Sequence, residues 1–102
     1  MSSRRKVTAR ERRRRREDLL RLQGGKCFWC SEDVEPECVT IDELLPRSRG
    51  GSQCWTNIVA SCAPCNWGRG DFVAPAWAFV KVAEREAQRT QFPPAINRLV
   101  PQ

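Results

Sequence analysis

Cys27-Phe28-Trp29-Cys30 and Cys62-Ala63-Pro64-Cys65 are two cysteine pairs of the same two-residue spacing. Four thiolates delivered as two such knuckles suit one tetrahedral zinc ion, whose preferred ligands include soft sulfur. The six cysteines offer a second use, three disulfides in an oxidising compartment. That use is disfavoured, because the arginine-rich N-terminus contains no apolar signal-peptide core. A reduced, cytoplasmic setting and one structural Zn2+ per chain are therefore expected. Cys38 and Cys54 stand outside the pairs and are expected to be small buried or half-buried thiols.

The scaffold around these ligands must be small. A chain of 102 residues with 40% apolar content makes one domain with a marginal core, the setting in which a structural metal contributes folding free energy directly. No apolar run approaches the length of a membrane span. Charge is unevenly placed: residues 1–26 carry 11 Lys and Arg against 3 acids, a net of +8, and the rest of the chain carries 7 against 9, a net of −2. Arg12, Arg13, Arg14, Arg15 and Arg16 form an unbroken guanidinium run that attracts phosphate by charge and forked hydrogen bonds. Nucleic acid is the expected partner, with an acidic protein or plain solubility as the blander use of such a run.

The organisation expected is a basic arm or helix over 1–26, a zinc module over 27–71, and a C-terminal helix with its tail over 72–102. Thr8 and Glu11 are spaced as a capping box and Gly24-Gly25 supply a stop, so the arm reads as helical, with Leu19, Leu20 and Leu22 docking its end. Residues 31–38, acidic and proline-bearing, read as a surface loop. Val39, Thr40 and Ile41 read as a strand. Pro46 and Gly50-Gly51 then break regular structure, and Trp55 with Ile58, Val59 and Ala60 leads into a second strand, implying a hairpin. A short helix is expected near Cys65. Pro75 opens a last helix to about Thr90, with Trp77, Val80, Ala83 and Ala87 on its core face and Pro93-Pro94 beyond its end.

Within this frame the string Thr40-Ile-Asp-Glu-Leu-Leu-Pro-Arg-Ser-Arg-Gly-Gly51, then Trp55-Thr-Asn57-Ile-Val59, then Cys62-Ala-Pro-Cys65-Asn66-Trp-Gly-Arg-Gly70-Asp71 resembles the HNH endonuclease family. The resemblance implies an α+β fold of the ββα-metal type, in which a hairpin and a helix hold a catalytic divalent cation while four cysteines clamp the scaffold with zinc. It also implies hydrolysis of phosphodiester bonds, usually of DNA. By motif position, Asp42 and Asn66 correspond to the ligands of that cation; both offer hard oxygen, which suits Mg2+ or Mn2+. Asn57 matches the middle asparagine, which braces the loop and orients the base. Arg69 sits where the family has a lysine, and Arg47 and Arg49 lie in the intervening loop, all three as phosphate contacts. Taken one at a time, Asn57 and Asn66 also read as caps or turn formers and Asp42 as a surface carboxylate.

One position departs from the pattern. The family's catalytic histidine follows the aspartate directly, and here that place is taken by Glu43, in a chain with no histidine at all. A histidine of reference pKa about 6.5 accepts a proton from water near neutral pH, whereas a glutamate near 4.3 is weaker by about two units, or roughly 3 kcal/mol. Three roles stay open for Glu43: an alternative base, a third metal ligand, or the mark of a disabled site that still binds nucleic acid. The ligand role requires the backbone to bend, since neighbouring strand residues face opposite sides. Three functions are compatible with this sequence: an endonuclease or nickase that cuts DNA; a zinc-stapled nucleic-acid-binding module, alone or as a subunit of a nucleoprotein assembly; and, ranked last, a protein-interaction zinc module whose arginine arm meets an acidic partner.

Overall fold

The computed structural model describes residues 7–91 of the chain. Its elements run in the order α1 (Ala9–Leu22), β1 (Val39–Glu43), β2 (Ile58–Cys62), α2 (Ala63–Arg69) and α3 (Ala76–Gln91), with single 3-10 turns at Pro36–Cys38, Arg47–Arg49 and Trp55–Asn57. This is an α+β protein whose centre is a ββα unit. Arg4, Arg5 and Lys6, the expected stop at Pro93-Pro94 and the tail after it lie outside the described residues.

Two compact units divide the chain, one taking Met1–Asp42 with Val59–Gly70 and the other Glu43–Ile58 with Asp71–Gln102. In the first, α1 begins on the expected capping box: the Thr8 hydroxyl accepts from the Glu11 N–H at 3.1 Å, and the Glu11 carboxylate accepts from the Thr8 N–H at 2.8 Å. The helix stops where the Gly25 N–H bonds back to the Leu20 carbonyl, with Gly24 and Gly25 both at positive φ. Leu19 and Leu20 are buried, but Leu22 is 40% exposed, because the stop at Gln23 leaves it on the far side of the last turn. Gln23 ties this end down, its amide donating to the Ala60 carbonyl and accepting from the Ala60 N–H, both at 2.9 Å. Nothing in the hydropathy pattern marks that contact.

β1 and β2 form a two-stranded sheet. Thr40 is matched to Ser61 by a hydroxyl bond to its carbonyl, and Leu44 to Asn57 through the backbone, so the strands run antiparallel. Val39, Val59, Ala60 and Ser61 are buried around it. The first cysteine knuckle turns between an antiparallel bridge of Lys26 with Asp33, which also form an ion pair of 2.6 Å. Ser31 closes the knuckle at φ 65. Cys38 and Cys54 are both exposed, contrary to expectation. Each lies at the edge of a 3-10 turn that runs over the surface.

In the second unit, the inward stripe of α3 differs from the expected one. Ala78, Val82 and Glu86 are buried, whereas Trp77 is 49% and Val80 56% exposed, and Ala83 and Ala87 are exposed too. The reason is ionic. Glu86 faces inward because Arg85 and Arg89 grip its carboxylate at 2.9 and 2.7 Å, and two stripes of the same helical spacing cannot both face the core. Arg85 further donates to the carbonyls of Ile58 at 2.9 Å and Trp55 at 2.6 Å, and Arg89 stacks 4.1 Å over the Trp55 ring. This cluster fixes the turn Trp55–Asn57.

Candidate metal centre and nuclease site

The four paired cysteines converge. Their sulfur atoms all lie within 4.8 Å of one another, and Cys30 and Cys62 are 3.9 Å apart. Four sulfurs at about 2.3 Å from a tetrahedral zinc stand about 3.8 Å apart, so the cluster has the dimensions of a closed structural site. All six cysteines are free thiols. Burial works against a thiolate at Cys27, yet the backbone N–H groups of Cys30, Cys62 and Trp29 outweigh it and bring this thiol down to about 6. Cys65 moves upward, through burial and the company of the other three sulfurs. Four negative sulfurs are stable together only around a cation. Among the described residues no other trio of His, Cys, Asp or Glu gathers in this way.

The same unit carries Asp42, Asn66 and Arg69. Asp42, the fourth residue of β1, is 3% exposed, and its carboxylate is fully engaged. Arg69 forks onto it, Nε to Oδ2 at 3.0 Å and a terminal nitrogen to Oδ1 at 2.9 Å, while the Trp29 indole donates to Oδ2 at 2.8 Å. The guanidinium also lies 4.8 Å over the Trp29 ring. Arg69, expected as a phosphate contact, thus pairs with the expected metal ligand. Trp29, between the first two cysteines, was not singled out by sequence. Its position inside a knuckle is what brings it to Asp42.

Asn66 follows Cys65 in α2, so the knuckle sets its direction. Its Nδ2 donates to the Thr40 hydroxyl at 2.9 Å and to the Ile41 carbonyl at 3.2 Å, and Thr40 in turn donates to the Ser61 carbonyl. With the amide nitrogen held on β1, Oδ1 is left without a protein donor among the described residues. An amide oxygen and a carboxylate are the donor types that a magnesium-like ion takes, with water and phosphate completing its shell. Here the Asp42 carboxylate is held by Arg69.

Residues 27–79, just over half of the chain, match the profile of the HNH endonuclease family. The chain belongs to that family. A solved relative, the crystal structure of the Type II-C Cas9 enzyme from Actinomyces naeslundii, superposes with a TM-score of 0.62 at 26% identity, over 94% of this chain and 12% of that one. The present chain therefore spans about an eighth of that enzyme's length. A comparison with the curated proteins finds no match. The HNH scaffold thus has the four-cysteine cluster of the zinc-bearing form.

The second unit holds the loop between the strands. Asn57 spans it: Oδ1 accepts from the Leu45 N–H at 2.9 Å, and Nδ2 donates to the carbonyls of Leu45 at 3.0 Å and Ser52 at 2.7 Å. Gly51 passes so close to Leu45 that an added Cβ would lie 1.6 Å from its carbonyl oxygen. Only glycine fits there. Glu43, at the family's histidine position, accepts from the Arg47 N–H at 2.9 Å and from the Gln53 amide at 2.8 Å, and lies 3.6 Å from the Arg47 guanidinium. Its carboxylate staples the two halves of the loop. β1 extends through Glu43. Arg47 and Arg49 are exposed, and Arg49 donates to the Asp71 carbonyl at 2.8 Å. On α1, Arg12, Arg13 and Arg14 are exposed and Arg15 and Arg16 half-buried. Arg12 donates to the Val7 carbonyl, and Arg14 lies 3.8 Å from Asp18. No helix among the described residues is long and apolar enough to cross a membrane.

Proposed function

We propose that this chain is an HNH nuclease module that grips the DNA backbone and hydrolyses phosphodiester bonds with Mg2+ or Mn2+. The observation that supports this reading is that the amide nitrogen of Asn66 is held on β1, at the Thr40 hydroxyl and the Ile41 carbonyl, next to the strand position of the Asp42 carboxylate. A divalent cation supplies charge neutralisation at the scissile phosphate and the leaving oxygen. Asp42 and Asn66 hold it, Asn57 keeps the loop in shape, and Glu43 stands at the base position. Arg47, Arg49 and Arg69 contact phosphate, and Arg12, Arg13, Arg14, Arg15 and Arg16 grip the backbone farther away. Zn2+, one per chain, occupies the four cysteines in a reduced, cytoplasmic setting. Arm 1–26, module 27–71 and C-terminal part 72–102 are the functional divisions.

A second reading is favoured by Glu43 itself. Its carboxylate is occupied by Arg47 and Gln53, and no histidine is present to replace it, as suits a module that binds nucleic acid without cutting. Plasmid incubated with zinc-loaded protein and Mg2+ or Mn2+ separates the two. Nicking that Asp42→Ala abolishes, with zinc retained, supports the nuclease. Salt-sensitive binding without nicking across metals and pH refutes cleavage and supports the module. Gain of cutting in Glu43→His would show that only the base is lacking.

A further inference from the structure

Among the described residues, Arg69 is the cation that already occupies the carboxylate assigned to a metal. Its side chain is 16% exposed and that of Asp42 4%, so the pair sits at the rim of the site with the carboxylate inside and the guanidinium reachable from solvent. The two-pronged bond to Asp42, the Trp29 indole sharing Oδ2 and the stack on the Trp29 ring all help to hold it there. Arg69 is also the last residue of α2, and Gly70 leaves the helix at φ 59, ψ −133. The side chain therefore swings from the end of an element rather than from its middle.

A guanidinium fork matches phosphate oxygens as well as it matches a carboxylate. It cannot share Asp42 with a divalent ion at no cost, because two positive charges a few ångströms apart in a partly dry site repel strongly. We propose that Arg69 is the resident counter-ion of Asp42, and that a DNA phosphate, by drawing the guanidinium away, opens Asp42 to the divalent cation. This rests on the reading of Asp42 as a cation ligand. It makes cation uptake and DNA binding mutually dependent, each strengthening the other by the same factor. Trp29 is a positioning residue here: it supports the guanidinium and donates to the carboxylate it guards.

The test measures Mn2+ binding to the zinc-loaded protein by the electron paramagnetic resonance of free Mn2+, with and without a short DNA duplex. Wild type without DNA is expected to bind Mn2+ weakly, and Arg69→Gln about tenfold more tightly. The duplex should tighten Mn2+ binding in wild type by a similar factor but not in Arg69→Gln, and Asp42→Asn should remove the effect, which corrects for Mn2+ held by DNA alone. Equal Mn2+ affinity of wild type and Arg69→Gln, with zinc content and circular dichroism unchanged, overturns the proposal. Should Arg69→Gln lose its zinc, wild type and Asp42→Asn decide: coupling to DNA supports the proposal, and its absence overturns it. Protein that shows the coupling but never nicks plasmid keeps this inference and loses cleavage. Protein that nicks without coupling does the reverse.

Discussion

Asn57→Ala removes three hydrogen bonds from a single side chain and opens the loop between the strands. Two of them satisfy the half-buried backbone of Leu45, whose N–H and carbonyl are then left without that partner; the third, to Ser52, is solvent-exposed. Losing the first two costs about 1 kcal/mol each and the third roughly half that, for a total of about 2–3 kcal/mol. In a chain of this length that lowers Tm by about 10 °C. Urea and thermal melts with zinc in excess measure it while the metal clamp stays intact. Asn57→Asp sharpens the test. The aspartate still accepts from the Leu45 N–H but turns a second oxygen toward two carbonyls, so it is expected to be at least as damaging as alanine near neutral pH. A loss under about 0.5 kcal/mol for alanine, or full tolerance of aspartate, would refute the view that Asn57 spans the loop.

Chelation of zinc, or Cys65→Ser, should unfold the module cooperatively, since structural zinc contributes about 10 kcal/mol or more to a small core; circular dichroism with metal analysis reads this, and native structure without any metal contradicts it. Ser31→Val should cost about 1 kcal/mol or more in urea melts, because φ 65 is hostile to a branched side chain, while Ser31→Gly should be near neutral. Glu86→Ala should cost about 3 kcal/mol by leaving Arg85 and Arg89 close together without their shared anion, and a change below about 1 kcal/mol would argue against a buried role. Replacing Arg12, Arg13, Arg14, Arg15 and Arg16 by serine should reduce the salt slope of DNA binding by about 2–3 rather than the 4 to 5 of five full contacts, because consecutive helical residues point in different directions. An unchanged slope would remove the arm from the interface.

Much of the architecture follows from local chemistry. Two knuckles of fixed spacing, a capping box at Thr8 and Glu11, a glycine pair at 24 and 25, and β-branched runs at Val39 and Ile58 each specify their own segment, and the segments appear where the residues require them. Gly51 is equally local in origin, since the turn after Pro46 brings it against Leu45. The elements that carry Asp42, Asn57 and Asn66 were likewise legible, because a cysteine knuckle, a hairpin and a short helix follow one another in the order the motif strings set.

What only tertiary structure decided is how each charged group is spent. Hydropathy counts Arg69, Arg85, Glu86 and Arg89 as surface residues, yet each is largely buried in an ion pair, and the inward stripe of α3 follows those pairs instead of Trp77 and Val80. Opposite charges cancel only when brought together, and the sequence separation of Asp42 from Arg69, or of Trp55 from Arg89, hides the partnership. The same holds for Glu43: its identity was plain in the sequence as a missing histidine, but its bonds to Arg47 and Gln53 exist only once the loop is closed. Spacing along a chain fixes where ligands converge; only the folded chain fixes which ions they already hold.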